Sequence, residues 1–83
     1  MKVLKFFANW CTPCKKLSFN IYRIKSEITC PVEEIDVQTN RELAEKYNIT
    51  VLPTMILMDE DKEVRRILGV PQEQELRSFF NLK

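Results

Sequence analysis

Two cysteines separated by two residues, Cys11 and Cys14, give this chain its clearest capacity for chemistry. Thiols at this spacing can close a small disulfide and open it again, because a thiolate attacks a disulfide sulfur and displaces the other thiolate. The pair therefore predicts thiol–disulfide exchange. Two plainer interpretations stay open at this point, a static disulfide and one half of a zinc site.

The other residues that could bind a metal or move a proton narrow these interpretations. The chain has three cysteines and no histidine, whereas a tetrahedral zinc site takes four ligands. An exchange centre without a metal is therefore expected, and histidine-based acid–base catalysis is excluded. An odd number of cysteines also does not suit a secreted disulfide framework. The third cysteine, Cys30, is expected to be a small core residue.

The cysteine pair lies between two strongly patterned segments. Val3 to Ala8 is a nearly continuous apolar run, which is typical of a strand covered on both faces. A helix is expected from about Thr12 to Glu27, with Pro13 in its first turn. Its apolar residues recur every three or four positions and so lie on one face: Cys14, Leu17, Ile21, Ile24 and Ile28.

Position along this helix predicts different roles for the two thiols. Cys11 stands at the helix N-terminus, where unsatisfied N–H groups and the macrodipole favour an anion, so it is predicted to be the nucleophile and the more exposed thiol. Cys14 lies one turn inside the helix and is predicted to resolve the mixed disulfide by attacking Cys11. Pro13 is expected to stiffen the loop between them.

The remaining patterns complete an α/β fold. Three further strands are expected, at 32–37, 54–58 and 63–68. The last of them is placed at a sheet edge because it carries the adjacent cations Arg65 and Arg66. A capping box at 39–42 opens a short helix that stops at Asn48, and Pro71 begins the last helix. The order β-α-β-α-β-β-α predicts a four-stranded mixed sheet with three helices.

This order brings distant segments to one edge of the sheet. The first two strands should be parallel and joined by a right-handed crossover. If the third strand runs antiparallel to them, residues 51–53 and the pair Gly69-Val70 lie beside residues 10–14. Ligands of open α/β sheets favour such an edge.

Two motifs at this edge resemble those of a known family. The segment Trp10-Cys11-Thr12-Pro13-Cys14-Lys15 is similar to the active-site motif of thioredoxins, and Val51-Leu52-Pro53-Thr54 is similar to their cis-proline loop. Gly69 matches the glycine after their last strand. The resemblance covers residues 2–82 without the additional N-terminal strand and helix of longer thioredoxins, so it is to the short, glutaredoxin-sized members. It implies a thioredoxin-like fold and an enzyme, a protein-disulfide oxidoreductase.

The resemblance also implies roles around the cysteines. Pro53 would follow a cis peptide bond, so that the backbone of Leu52 faces Cys11 and pairs with an extended substrate; an ordinary trans proline is the alternative. Trp10 would be a half-buried docking surface rather than a core aromatic. Three residues would complete an apolar rim for protein substrates: Val51, Leu52 and Val70.

Lys5 is the clearest departure from the family pattern, because many thioredoxins carry at this position a buried Asp that manages the proton of the second cysteine. A carboxylate cannot be the base here. A buried ammonium would favour a nearby thiolate and so tune the thiols. The alternative is that Lys5 extends to the surface and has no catalytic role.

Composition bounds the remaining expectations. A chain of 83 residues suits one thioredoxin-like domain, 1–83. The net charge of +1, from 13 basic and 12 acidic residues, argues against nucleic-acid and membrane binding. The chain shows neither a leader-like segment nor a run of about 18 apolar residues, so a cytoplasmic protein is expected. We expect a monomer without a cofactor that acts on protein disulfides and takes electrons from a disulfide reductase.

Two alternatives to this function remain. A glutaredoxin would use glutathione, and Thr50-Val51 is similar to the glutaredoxin loop; however, Gly69-Val70-Pro71 stands where glutaredoxins usually have a Gly-Gly pair and an acid. The second alternative is a binding module docked on a larger enzyme, with incidental redox chemistry. Full biological function in a Cys11→Ser, Cys14→Ser double variant would favour the binding module.

Overall fold

The computed structural model describes all of residues 1–83, and its element order is the predicted one. The strands are β1 (Lys2–Phe7), β2 (Val32–Asp36), β3 (Thr54–Asp59) and β4 (Lys62–Leu68). The helices are α1 (Thr12–Arg23), α2 (Arg41–Lys46) and α3 (Glu73–Phe79), with a 3-10 turn at Lys25–Glu27. None of these helices has the length and apolar character needed to cross a membrane.

The four strands form one mixed sheet in the order β2-β1-β3-β4. β1 pairs with β2 in parallel and with β3 antiparallel, and β3 and β4 form an antiparallel hairpin. The prediction of a mixed sheet with β4 at an edge is confirmed. β4 suits an edge position because most of its residues are charged, and charged side chains discourage pairing with a further strand.

Each face of the sheet is covered by helices. Successive side chains of a strand point to opposite faces, so Val3 and Leu4 of β1 enter two different apolar clusters. Val3 packs in the cluster that holds Leu17 of α1 and Leu76 of α3. Leu4 packs in the cluster that Leu43 of α2 joins from the other side. This packing places α1, and hence the cysteine pair at its start, against the sheet beside β1.

Three helix boundaries differ from the prediction. The helix expected to reach Glu27 ends at Arg23, because Ile24 (φ −112°, ψ 11°) leaves the helical conformation and a 3-10 turn follows. The capping box is wrong: Asn40 is the N-cap of α2, while the Thr39 hydroxyl donates to the Asp36 carbonyl instead. α3 begins at Glu73 rather than at Pro71, and its first hydrogen bond runs from the Leu76 N–H to the Gln72 carbonyl.

The stop of α2 at Asn48 is confirmed. Asn48 has φ +53°, in the left-handed region that asparagine tolerates better than most residues. The next N–H, that of Ile49, donates to the Ala44 carbonyl at 2.9 Å and so satisfies one of the last carbonyls of the helix.

The edge of the sheet at which β1 ends and β3 begins is assembled by a hydrogen bond between two distant loops. The Gly69 N–H, just after β4, donates to the Pro53 carbonyl, just before β3, at 2.8 Å. Gly69 has φ +75°, which a residue with a side chain rarely adopts. β1 ends at Phe7 on the same edge, because β3 runs antiparallel to it. The predicted convergence of these loops is therefore present.

Candidate active site

The cysteine pair forms the first turn of α1. Cys11 is the N-cap residue, with an extended backbone (φ −88°, ψ 105°), and its sulfur accepts the Cys14 N–H at 3.2 Å. Pro13 lies in the first turn, as predicted. Cys11 and Cys14 are joined by a disulfide with their Cα atoms 5.3 Å apart, so the structure is that of the oxidised form.

The two cysteine residues are buried almost equally, with relative exposures of 4% for Cys11 and 3% for Cys14. The predicted difference in exposure is therefore not present in this oxidised form. Both cysteines pack with Ala8, and Phe7, Val37 and Leu52 close around them. Apolar side chains thus shield the disulfide, and a target must approach through the opening beside Trp10.

The electrostatic surroundings favour an anion at Cys11. The first turn of α1 contains no acidic side chain, so nothing opposes the partial positive charge of the helix N-terminus. Lys15 and Lys16 follow directly and are exposed. A thiolate at the N-cap position would also keep the Cys14 N–H as a hydrogen-bond donor.

A cleft of about 550 Å³ opens beside the disulfide. Four of the predicted site residues line it: Trp10, Cys11, Pro13 and Leu52. Thr12 and Thr50 complete the lining from the two motifs, and sequence reasoning missed three apolar lining residues from β2's end, α2 and the loop after it: Val37, Ala44 and Ile49. Their apolar character was visible in the sequence, but their place beside Cys11 depends on how α2 and the following loop pack.

The predicted apolar rim is only partly assembled in this cleft. Val51, Gly69 and Val70 do not line it. Val70 instead borders a separate cavity with Lys16 and Pro71. Trp10 is 68% exposed, so it is a surface aromatic and more open than the half-buried residue expected.

The loop before β3 has the predicted geometry. The Leu52–Pro53 peptide bond is cis, which excludes the trans alternative. The Thr54 hydroxyl donates to the Val51 carbonyl at 2.6 Å and fixes the loop across the proline. Thr54 was not predicted to contribute to the site; its hydroxyl directly after proline, next to a buried strand, was the available signal.

Lys5 is buried, with 2% relative exposure, and so does not extend freely to the surface. Its ammonium donates to the Ser18 hydroxyl of α1 at 2.5 Å and to the Glu34 carboxylate of β2 at 2.9 Å. Ser18 lies one helical turn beyond Cys14, so this hydrogen bond links the Lys5 ammonium to α1 one turn from the inner cysteine. These partners were missed, because pairing with Glu34 follows from the parallel register Lys5↔Glu34.

Cys30 is a free, partly buried thiol. It borders a cavity of about 470 Å³ with Lys5, Tyr22 and Glu34. No three His, Cys, Asp or Glu side chains are grouped so that they could hold a metal ion.

Comparison with known proteins identifies the family. The thioredoxin family model matches residues 1–81. The chain belongs to the thioredoxin family. A thioredoxin of Chlamydia caviae is 30% identical over 80 residues, which are 95% of this chain and 78% of that relative. A bifunctional thioredoxin reductase/thioredoxin of Mycobacterium leprae is 38% identical over 69 residues, 81% of this chain and 15% of that relative.

A solved structure confirms the thioredoxin-like fold. The thioredoxin of Fasciola hepatica superposes with a TM-score of 0.85 and 35% identity, over 95% of this chain and 76% of that one. Family membership and the Cys11–Cys14 pair together make the chain a thiol–disulfide oxidoreductase, an enzyme that acts on protein disulfides.

Proposed function

We propose that Cys11 is the attacking thiol and Cys14 the resolving thiol in the reduction of protein disulfides. The Cys11 thiolate attacks one sulfur of the target disulfide, and the target's other sulfur leaves as a thiolate that takes a proton from solvent. The Cys14 thiolate then attacks the Cys11 sulfur and releases the second target thiol. Two electrons pass to the target, and the Cys11–Cys14 disulfide forms.

The observation that carries this assignment is the position of Cys11 as N-cap of α1, where its sulfur accepts the Cys14 N–H. That hydrogen bond and the helix dipole stabilise a thiolate at Cys11 in preference to one at Cys14, which lies inside the helix. Because a thiolate is also a better leaving group when its pKa is low, the same position lets Cys14 displace Cys11 from the mixed disulfide.

Targets dock, in this proposal, at the cleft beside the disulfide. Trp10 offers an exposed apolar ring, and the backbone of Leu52 beside Pro53 pairs with an extended target segment. Val51 and Val70 form an apolar margin outside this cleft, and Gly69 lies between the loops that carry them. Lys5 tunes the thiols through its ammonium, which contacts Ser18 one helical turn beyond Cys14.

A disulfide reductase returns the enzyme to its dithiol form, as part of electron transport in the cytoplasm, and the enzyme works as a monomer. The fusion of a reductase with a thioredoxin in the Mycobacterium leprae relative supports a thioredoxin reductase as the donor. Glutathione is the competing donor.

An insulin reduction assay with each donor tests this function. We expect turnover with a thioredoxin reductase, and little with glutathione and glutathione reductase. Turnover with glutathione alone would contradict the choice of donor. Insulin reduction no faster than with the donor system or dithiothreitol alone would contradict the proposed function itself.

A further inference from the structure

The outer face of α1 carries an unbalanced positive charge. Residues 12–25 contain four basic and no acidic side chains. The rest of the chain holds nine basic and twelve acidic residues, so it has a net charge of −3 while the whole protein is at +1. The four cations are all exposed, and none of them takes part in an ion pair: Lys15, Lys16, Arg23 and Lys25. These cations are therefore available for ion pairs with the acidic side chains of a partner protein.

Two exposed aromatic side chains stand among these cations. Phe19 is 61% exposed and Tyr22 is 71% exposed, although both belong to a helix whose inner face is well buried at Cys14 and Leu17. At 100° per residue, Phe19 points almost directly away from that inner face, and Lys15 and Arg23 flank it one turn to either side. Apolar rings exposed together on one face mark an interaction surface.

This surface starts at the redox centre. α1 begins at Thr12, so at about 1.5 Å per residue Phe19 lies about 10 Å and Tyr22 about 15 Å along the helix from its first residue. Trp10, next to Cys11, is exposed as well. A partner patch of ordinary size, about 800 Å², is wide enough to reach both the disulfide and the aromatic residues of the helix.

We propose that this α1 outer face (Lys15, Lys16, Phe19, Tyr22 and Arg23) is a docking surface for a protein redox partner that is acidic beside its disulfide and inserts an apolar side chain next to Phe19. The inference rests on the proposed function, since it concerns which disulfides reach Cys11. Charge complementarity selects an acidic occupant. The net charge of −3 on the rest of the chain opposes an extended anionic lipid surface more than a local acidic patch, and a second copy, with a net charge of +1, does not complement a basic face.

Model peptides test the surface directly. Each carries one cysteine, in a mixed disulfide with mercaptoethanol, and the segment Glu-Leu-Glu four residues later, which an extended chain places about 13 Å away. Matched peptides carry Lys-Leu-Lys or Glu-Ser-Glu. At about 20 mM salt we expect kcat/KM to be about tenfold higher for Glu-Leu-Glu than for Lys-Leu-Lys, and the ratio to approach one at about 0.5 M salt.

Variants locate the effect on the helix. Arg23→Glu should reduce the preference for the acidic peptide about threefold, and Phe19→Ser should remove the advantage of Glu-Leu-Glu over Glu-Ser-Glu. Arg41→Glu, which makes the same charge change on exposed α2, should leave both ratios within about 1.5-fold of wild type, because the sheet separates α2 from α1. Equal loss of preference in Arg41→Glu and Arg23→Glu would overturn the assignment to this face.

Reduction of hydroxyethyl disulfide, a small neutral substrate, separates the two proposals. Equal rates for all peptides with normal reduction of hydroxyethyl disulfide would overturn the docking surface and leave the proposed function intact. No reduction of hydroxyethyl disulfide, together with no acceleration of insulin reduction, would overturn both. Binding to phosphatidylglycerol vesicles that is lost in Phe19→Ser, without any peptide preference, would replace the protein partner with a lipid surface. Dimers in sedimentation velocity that Phe19→Ser abolishes would replace it with a second copy.

Discussion

The two ends of α1 hold the cysteines in different surroundings. At its N-terminus Cys11 and Cys14 share one helical turn, a backbone N–H directed at a sulfur, and a loop that packs against them. Beyond its C-terminal end, Cys30 has no second thiol and borders an open cavity. The three side chains are chemically identical, so we expect any difference in their reactivity to come from the helix terminus and from the presence of a second cysteine.

Removing either thiol of the pair should have the largest effect. Cys11→Ser and Cys14→Ser are each expected to lower steady-state disulfide reduction by on the order of 10³-fold, because the exchange needs both sulfurs. The two variants should differ in one respect. Cys14→Ser keeps the attacking thiolate and should accumulate mixed disulfides with insulin, whereas Cys11→Ser should not.

Mass spectrometry of the variants after incubation with insulin measures that difference. Adducts through Cys11 in Cys14→Ser are the expected result. Adducts formed only through Cys14, in the Cys11→Ser variant, would reverse the assignment of attacking and resolving thiols.

The loop between Val51 and Thr54 gives the next largest effect. Pro53 is fully buried and its carbonyl accepts the Gly69 N–H, so Pro53→Ala removes two buried methylenes and should cost about 1.5–2 kcal/mol of unfolding free energy. It should also impair target capture while alkylation of the thiols by iodoacetamide stays near wild type.

Pro71→Ala provides the matched control for that variant. Pro71 is also buried, but it lies two residues before α3 and outside the cleft beside Cys11. A similar loss of stability without loss of capture is expected, as judged by urea unfolding and insulin reduction. Equal loss of capture in both variants would mean that stability, rather than docking, explains the effect of Pro53→Ala.

Features that depend on residues close together in the sequence were the most predictable part of the molecule. The cysteine motif, the proline loop and the strand order follow from apolar periodicity and from two motifs that each lie within six residues. The partners of Lys5 were not predictable, because they depend on the parallel register with β2, which places Glu34 opposite Lys5. The end of α1 at Arg23 was also missed, because the apolar spacing continues through Ile28 whereas the helical backbone conformation does not.

Lys5→Asp should shift the pH dependence of reduction. An anion would replace the cation that donates to Ser18, a residue one helical turn beyond Cys14, so it should raise the pKa of the inner thiol, and the rising limb of the pH–rate profile should move about one unit to higher pH. The variant also places an acid opposite Glu34. A Lys5→Asp, Glu34→Lys double variant restores an ion pair with the charges exchanged. It therefore distinguishes an effect of lost folding stability on the pH–rate profile from an effect of the charge at position 5. An unchanged profile in both would show that Lys5 has a structural role only.

The ion pair between Glu27 and Arg77, which lies away from the cysteine pair, should have a smaller effect that depends on pH. The hydrogen bond from Arg77 holds the pKa of Glu27 below its ordinary value of 4.5. A carboxyl with a lowered pKa in the folded state contributes stability that is present above about pH 4.5 and is lost as the pH falls through the folded-state value. Glu27→Gln should therefore destabilise the protein slightly at neutral pH, and this difference should shrink toward pH 3 in urea unfolding.

Glu75→Gln is the control for that measurement, because it removes an exposed carboxylate of α3 that takes part in no ion pair. A Glu27→Gln effect that stays constant between pH 7 and pH 3 would contradict the role of this ion pair. The active-site end has no corresponding acid–base contact at its surface, so activity of Glu27→Gln at neutral pH should equal that of wild type.

Cys30→Ala should have the smallest effect on activity. The Pro31 carbonyl accepts the Val3 N–H, which ties Cys30 to the start of β1, whereas Cys11 follows the end of that strand. Five strand residues span about 16 Å, and a disulfide needs Cα atoms within about 7 Å, so Cys30 cannot reach the pair in the folded protein. We expect full insulin reduction and, because the thiol is only partly buried, a loss of at most about 1 kcal/mol of unfolding free energy.

Mass spectrometry of the oxidised wild type should find Cys11 joined to Cys14 and Cys30 free; a bridge to Cys30 would contradict both the strand order and the exchange mechanism.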